Sequence, residues 1–249
     1  MRYFVKLMYD GTAYHGWQLQ TNAVSVQELL QKSFSLILRQ PIELYGCGRT
    51  DTGVHAREYY AHFEVEEKIS SLENILYKMN SLLPHDIVIE NIQEVKSDVH
   101  ARFSAIRRTY KYYISQKRDP FSFHIEYFFS PRLDLDLMNT ACGVMMSYKD
   151  FSCFSKSNTQ VNNYICDISE AVWTLEGGKL VFTISANRFL RNMVRAIVGT
   201  MLEIGLGKIN LNEFRQIISH GNRSDAGASV PAKGLFLVRV AYPDGDEIV

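Results

Sequence analysis

The sequence predicts an α+β fold made of two halves that share a ferredoxin-like order of elements. Short runs in which apolar and polar residues alternate are typical of strands, and they are separated by longer stretches with helical periodicity. Their order in the first half is β-α-β-β-α-β, and the same order recurs in the second. We expect halves at 1–104 and 105–249. Joined edge to edge, they would form one wide, mixed, mostly antiparallel sheet with helices on one face.

In the first half, local signals define each element. Ser25 followed by Glu28 is a capping box that begins a helix, and Pro41 ends it near Arg39. Ser71 caps a second helix, which Pro84 ends. Alternating runs predict the strands between and around these helices: Arg2–Tyr9, Ile42–Cys47, Arg57–Val65 and Ile87–Val95.

The second half follows the same order. Gly177-Gly178 separates two alternating runs and predicts a hairpin, whereas Lys117–Pro131 contains two prolines and is expected to be a loop. The expected strands are Ile106–Gln116, Tyr164–Leu175, Leu180–Ala186 and Leu235–Tyr242, and the expected helices are Leu135–Tyr148, Arg188–Ile204 and Leu211–Ser219.

Composition restricts the class of protein. The 249 residues carry no net charge and 46% are hydrophobic, which is ordinary for a globular protein. The sequence has no apolar run long enough to span a membrane, and its first residues already alternate, so we expect no signal peptide. The four cysteines form no C-x-x-C pair. We therefore expect a cytoplasmic protein without a metal site.

Positive charge is concentrated in one stretch although the net charge is zero. The segment from Arg102 to Arg118 contains six cations and no acidic residue: Arg102, Arg107, Arg108, Lys111, Lys117 and Arg118. A charge run of this kind is either a solvated strand face or a track for phosphates. Zero net charge argues only against a protein that coats nucleic acid without specificity.

The most distinctive stretch is Gly48-Arg49-Thr50-Asp51-Thr52-Gly53-Val54-His55-Ala56, which connects two expected strands. Glycines at both ends allow unusual backbone conformations and a close approach to a ligand. Asp51 could serve a local turn, and its ion pair with Arg49 could be an ordinary surface contact. The alternative is a reactive carboxylate on a rigid loop.

This nine-residue string resembles the signature of the tRNA pseudouridine synthase family called TruA. The resemblance extends over nearly the whole chain. It includes the segments from Tyr9-Asp10-Gly11 to Gly16-Trp17-Gln18, from Phe103 to Tyr112, from Asn187 to Arg195, and Lys233-Gly234-Leu235-Phe236-Leu237. It implies the pseudouridine synthase fold, with an active-site cleft between the halves.

The resemblance also implies roles for individual residues. Asp51 would be the catalytic nucleophile and Arg195 would pair with its carboxylate, which favours the ionised form. Tyr110 would contact the target uracil and Leu235 would line the site. Arg49 would hold the strand or the flipped nucleotide, and Arg102, Arg107 and Arg108 would contribute to RNA binding.

The implied reaction is the isomerisation of uridine to pseudouridine at positions 38, 39 and 40 of the tRNA anticodon stem-loop. It removes no electron, so no cofactor is expected. A homodimer is implied as well. One departure concerns the loop after Phe151-Ser152-Cys153-Phe154, where Asn162 replaces the usual arginine and the segment Thr159–Asn163 contains no cation.

Alternative interpretations stay open at the level of the sequence. Tyr110 could be sheet packing, Arg195 could face solvent, and Leu235 could belong to the core. We expect His55 to be structural. A non-catalytic RNA-binding protein with a ferredoxin-like sheet is the main alternative function. A glycoside hydrolase would need a second carboxylate in a comparable motif, and none is found.

Overall fold

The computed structural model of this protein describes residues 1–156 and 163–243. Two compact units are present. Among the described residues, the first comprises Met1–Arg108 together with 236–243, and the second lies within Thr109–Leu235. The predicted division into 1–104 and 105–249 stays a prediction about domains, and the expectation for Asn162 falls outside the described residues.

Nine strands and five helices are found in the described ranges. The strands are β1 (Arg2–Tyr9), β2 (Tyr45–Gly46), β3 (His55–Glu64), β4 (Ile87–Val95), β5 (Arg107–Ser115), β6 (Tyr127–Phe128), β7 (Ile168–Glu176), β8 (Lys179–Ala186) and β9 (Leu235–Ala241). The helices are α1 (Val26–Leu38), α2 (Leu72–Leu82), α3 (Leu135–Met146), α4 (Met193–Gly205) and α5 (Leu211–His220).

In the first unit, β1 lies between β4 and β3 and is antiparallel to both. The other edge of β3 pairs with two strands at different heights: β2 is antiparallel to it, and β9 is parallel to it at His55 and Ala56. The spatial order β4-β1-β3-β2 is that of a ferredoxin-like unit. Ser25 Oγ accepts a hydrogen bond from the Glu28 N–H, so the predicted helix cap is confirmed.

Aromatic side chains fill the interior between this sheet and α1. Tyr3 stacks on Phe63 with ring centroids 5.6 Å apart, and Phe34 of α1 lies 4.8 Å from the Phe63 ring. All three are essentially inaccessible to water. Burying each such side chain contributes roughly 1.5–3 kcal/mol, so this aromatic group is a main source of stability for the first unit.

In the second unit, β8 lies between β5 and β7. The hairpin of β7 and β8 closes at Glu176↔Lys179 across Gly177 and Gly178, both with positive φ, as predicted. Helix α3 is attached to β7 by a reciprocal pair of hydrogen bonds between the Asn139 amide and the Trp173 backbone, of 2.8 and 3.1 Å.

The predicted class, α+β with a wide, mixed and mostly antiparallel sheet, is confirmed. Three local expectations about the sheet are wrong. The strand expected from Tyr164 begins only at Ile168, as β7. The strand expected over Ile42–Cys47 is reduced to β2, because only Tyr45 and Gly46 form ladder pairs with β3. The loop expected over Lys117–Pro131 contains β6, which pairs in parallel with the end of β5. Within the described ranges, no helix has the length and apolar character needed to cross a membrane.

Candidate active site

Asp51 lies in a tight turn between β2 and β3 and is partly buried. Its carbonyl accepts a hydrogen bond of 3.1 Å from the Val54 N–H, and the chain reverses at Gly53, where φ is +75°. The Gly53 N–H in turn donates to the Tyr14 carbonyl. The turn is therefore closed internally and attached to a second segment, so backbone contacts fix its position.

That second segment is the connection from Tyr9 to Trp17. The Tyr9 hydroxyl lies 2.9 Å from the Thr50 hydroxyl, and the Trp17 N–H donates to the Thr50 carbonyl. Gly16 has φ of +81°, and a Cβ at this position would lie 2.2 Å from the Thr50 carbonyl oxygen. Only glycine fits here, because both the conformation and the space exclude a side chain. The sequence motif Tyr9–Gln18 thus has a structural role that sequence reasoning did not assign.

An aromatic pair supports the start of the same loop. The Tyr59 hydroxyl donates to the Gly48 carbonyl, and the Tyr59 ring stacks on Trp17 with centroids 4.1 Å apart. Both side chains are fully buried. The loop carrying Arg49 and Asp51 therefore lies on a rigid base, which is the condition for a precisely placed reactive group.

His55 is buried directly after the loop. Its Nδ1 accepts a hydrogen bond of 3.1 Å from the Gly11 N–H, and the ring stacks on Phe236 with centroids 4.4 Å apart. The Asp10 carboxylate lies 3.1 Å from the same nitrogen. These contacts join the two segments that surround Asp51.

The three arginines predicted to bind RNA differ in their surroundings. The Arg108 guanidinium donates to the carbonyls of Ala105, Cys47 and Arg102, at 2.8, 2.9 and 2.6 Å. It therefore ties the segment before β5 to the residue just before the Asp51 loop. Arg102 and Arg107 are exposed, as is Arg49, whose Nε donates to the Gln18 side chain.

Two histidines hold the segment that carries Arg102. His62 Nδ1 accepts from the Ala101 N–H at 3.2 Å, and His100 Nδ1 accepts from the Arg102 N–H at 3.0 Å. Burial lowers the pKa of His62 to about 4, and the positive charges of His100 and Arg2 act in the same direction, whereas Glu64 opposes them. Both hydrogen bonds require the unprotonated nitrogen, so protonation would release the segment.

We expect this arrangement to make stability depend on pH. Between about pH 6.5 and pH 4 the unfolded chain binds a proton at His62 that the folded protein excludes, so stability is complete above pH 6.5 and falls below it. The free energy of unfolding should decrease by roughly 2 kcal/mol between pH 7 and pH 5 through this residue alone. Urea unfolding of His62→Gln, which can still accept from Ala101 but cannot titrate, should show a weaker decrease.

The exposed His220 supplies the control for this measurement. His220→Gln should retain the pH dependence of the original protein. A pH dependence that is identical in His62→Gln and the original protein would contradict the assignment to His62.

In the second unit, Tyr110 and Tyr112 lie two residues apart on β5. Tyr110 is partly buried, and its ring meets Phe189 edge to face at 5.1 Å. Tyr112 is fully buried and its hydroxyl donates to the Pro231 carbonyl at 2.8 Å. Burial raises the pKa of Tyr112, while the positive charge of Arg195 acts in the opposite direction.

Arg195 is placed by the start of α4. The helix begins at Met193 and not at Arg188 as predicted, because Asn192 has φ of +66° and its side chain donates to the Ser229 hydroxyl at 2.6 Å. Arg195 Nε donates to the Val230 carbonyl at 2.7 Å, and the Val230 N–H donates to the Arg195 carbonyl. The first hydrogen bond orients the Arg195 side chain, and the second joins the backbone of α4 to the same segment.

Leu235 follows a short 3-10 turn, Ala232–Gly234, and is buried. A Cβ on Gly234 would lie 2.8 Å from the Tyr112 ring, so the turn packs directly on that tyrosine. The second unit thus brings Tyr112, Arg195 and the segment from Val230 to Leu235 together. The predicted pairing of Arg195 with Asp51 stays a prediction.

The four cysteine thiols are poor candidates for the nucleophile. Burial raises the pKa of the thiols of Cys47, Cys142, Cys153 and Cys166 to about 11 or 12, so they are not ionised near pH 7. Among the described residues, no group of three or more His, Cys, Asp or Glu side chains is placed to hold a metal ion.

Comparison with known proteins decides the family. A model of the tRNA pseudouridine synthase family matches residues 7–104 and 148–243. This chain belongs to the tRNA pseudouridine synthase family. Proteins named tRNA pseudouridine synthase A from Parabacteroides distasonis and Bacteroides fragilis are 48% and 50% identical to it, over 98% and 97% of this chain and 96% of each relative. The protein of that name from Ruminiclostridium cellulolyticum is 40% identical, over 94% of this chain and 96% of the relative.

This tRNA pseudouridine synthase is an isomerase, and the predicted family and enzyme class are confirmed. Two features of its site were missed from the sequence. Tyr112 is tied to the segment before Leu235 by its hydrogen bond to Pro231, and Arg108 holds backbone carbonyls. The spacing of two along β5 could have placed both tyrosines on one face of the strand, since alternate positions share a face.

Proposed function

We propose that this synthase isomerises uridine at positions 38, 39 and 40 of the tRNA anticodon stem-loop, with the Asp51 carboxylate as the nucleophile. The observation that carries the proposal is the Asp51 turn itself. Its backbone is held by Tyr14 and Trp17, and the Tyr9 hydroxyl contacts the neighbouring Thr50 hydroxyl. The carboxylate belongs to a partly buried residue between two glycines. A fixed backbone restricts the positions that the carboxylate can take, and such restriction favours an oriented attack.

The reaction balances without a further reagent. The N1–C1′ bond of the target uridine breaks, the uracil turns, and a new C5–C1′ bond forms. The C5 proton leaves to solvent and N1 regains a proton. The Asp51 carboxylate would attack C1′ or uracil C6, or assist departure of the base, and these three routes share the same residue.

The remaining predicted residues have matching tasks in this proposal. A base inside a stem must leave the stack before it can react. Tyr110, whose ring is oriented by Phe189, would then stack on the flipped uracil, and Leu235 would form an apolar wall. Arg195 would contribute positive charge beside the reacting groups, and Arg49 would hold the nucleotide.

The direct test is release of tritium from uracil C5. We expect the protein to release tritium from tRNA labelled at the C5 positions of uridine, and to release none from a transcript in which residues 38 to 40 are cytidines. Binding without release would favour a non-catalytic RNA-binding protein. Release from both transcripts would show a synthase with other target positions.

Exposed arginines predict a defined salt dependence of tRNA binding. Arg102→Ala with Arg107→Ala should reduce the slope of log affinity against log salt by about 0.7 for each lost single-strand phosphate contact, or about 0.9 for duplex. Arg108 is left unchanged because its loss would release three carbonyls. Lys78→Ala with Arg215→Ala removes the same charge from exposed helix positions and should leave the slope unchanged.

We also propose that the protein forms a homodimer and works in the cytoplasm. Four buried thiols that form no disulfide support a reducing compartment. Sedimentation equilibrium at micromolar concentration tests the dimer directly, since a monomer and a dimer differ twofold in mass.

A further inference from the structure

The chain between β5 and α3 is held firmly although it contains little regular structure. The Asp119 carboxylate accepts from the Phe121 N–H at 2.9 Å and lies 2.7 Å from the Ser122 hydroxyl, which also lies 2.6 Å from Glu126. Strand β6 pairs with the end of β5, and the Phe129 N–H donates to the Ser115 carbonyl. Because the backbone of this segment is fixed, the side chains exposed on it start from defined positions.

Large aromatic side chains are exposed on it. Phe121 is 87% accessible, Phe123 is 63% accessible and Phe128 is 36% accessible. Phe123 and Phe128 border a cavity of about 470 Å³, which Lys117, Arg118, Asp119, Pro120 and Glu126 also line, and Phe121 is next to Pro120 in the chain. We refer to Lys117, Arg118, Phe121, Phe123 and Phe128 as the aromatic platform. Neighbouring exposed aromatics on an ordered segment indicate an interaction site.

The charge of the aromatic platform is positive. Its acidic neighbours are engaged locally: Asp119 by the Phe121 N–H and Ser122, and Glu126 by an ion pair with Lys179. The Arg118 guanidinium lies 5.3 Å from the Phe128 ring centre. Aromatic faces combined with cations are the chemistry by which proteins bind unpaired bases and their phosphates.

The aromatic platform is connected to the predicted substrate site. Lys233 Nζ donates to the Phe123 carbonyl and lies 5.8 Å from the Phe123 ring centre. Lys233 is two residues before Leu235, in the turn that packs on Tyr112. Because Lys233 contacts Phe123, an RNA bound beside Leu235 would lie near the aromatic platform.

We propose that the aromatic platform stacks an unpaired base of the tRNA substrate, with Lys117 and Arg118 neutralising the adjoining phosphates. The proposal rests on the proposed function and adds a second RNA contact outside the reacting residues. The positive charge of the aromatic platform favours a polyanion as the partner. A second copy of this chain would present the same cations and be repelled.

Paired substitutions separate stacking from charge. Phe121→Ala with Phe123→Ala should weaken tRNA affinity about five- to a hundredfold, as expected for one lost base stack, and should leave the salt slope unchanged. Phe121→Tyr with Phe123→Tyr should retain affinity, because the aromatic faces remain. Tyr77→Ala removes an aromatic ring of 74% accessibility from α2 and should change nothing.

Lys117→Ala with Arg118→Ala should reduce the salt slope instead. Affinity that is unchanged in the phenylalanine variants would overturn the proposal, as would a dimer that dissociates in these variants, which would make the surface an interface between copies. Tritium release by the unchanged protein is measured in parallel. Tritium release by the unchanged protein, together with normal tRNA binding by the phenylalanine variants, would contradict only the proposal about the aromatic platform. Absence of tritium release from the unchanged protein would contradict the proposed function.

Discussion

Asp51→Asn should abolish pseudouridine formation while leaving folding and tRNA binding nearly unchanged. The amide has the shape of the carboxylate but cannot attack. The hydrogen bonds that position the turn come from the backbone of Asp51 and Gly53 and from Thr50, so the substitution leaves them intact. We expect no tritium release, a melting temperature close to that of the original protein, and tRNA affinity within a few-fold.

A matched control is available in Asp98, an exposed aspartate in the connection after β4. Asp98→Asn makes the same chemical change and should retain full activity. Asp51→Ala should be measured as well, because an asparagine can deamidate slowly and restore traces of the carboxylate. Turnover above a few per cent in Asp51→Ala would show that a different group reacts.

Where a segment carries its own signals, its structure could be predicted from the sequence. Strand β4 was predicted with its observed bounds, because alternation, Pro84 before it and polar residues after it all act locally. The start of α4 could not be predicted, since residues 188–192 fit a helical pattern. The αL conformation of Asn192 is stabilised by Ser229, 37 positions away, and such a contact leaves no local trace.

The same limit applies to the candidate site. Arg102, Arg107 and Arg108 are one residue type in one short stretch, and composition cannot distinguish them. Only the fold shows that Arg108 reaches the Cys47 carbonyl, 61 positions away, whereas Arg102 and Arg107 are exposed. The motif around Asp51 could be found from its glycines, but its attachment to Tyr9, Tyr14 and Trp17 could not.

Gly199→Ala should destabilise the protein strongly. Gly199 lies in the middle of α4, and a Cβ there would lie 1.8 Å from the Ala228 carbonyl oxygen. The facing segment cannot move freely, because the Gly227 N–H donates to Thr200 and the Arg223 guanidinium donates to the carbonyls of Ala226 and Gly227. We expect the free energy of unfolding to fall by about 3 kcal/mol or more, measured in urea.

Activity should fall together with stability in Gly199→Ala. Displacing Ala228 also moves Val230 and Pro231, whose carbonyls accept from Arg195 and Tyr112. Gly143→Ala is the matched control: Gly143 is exposed in α3, and its Cβ would meet nothing within 4 Å. There alanine should raise the free energy of unfolding by about 0.5–1 kcal/mol through helix propensity alone. Equal effects at the two glycines would show that the close approach of α4 to Ala228 does not occur in solution.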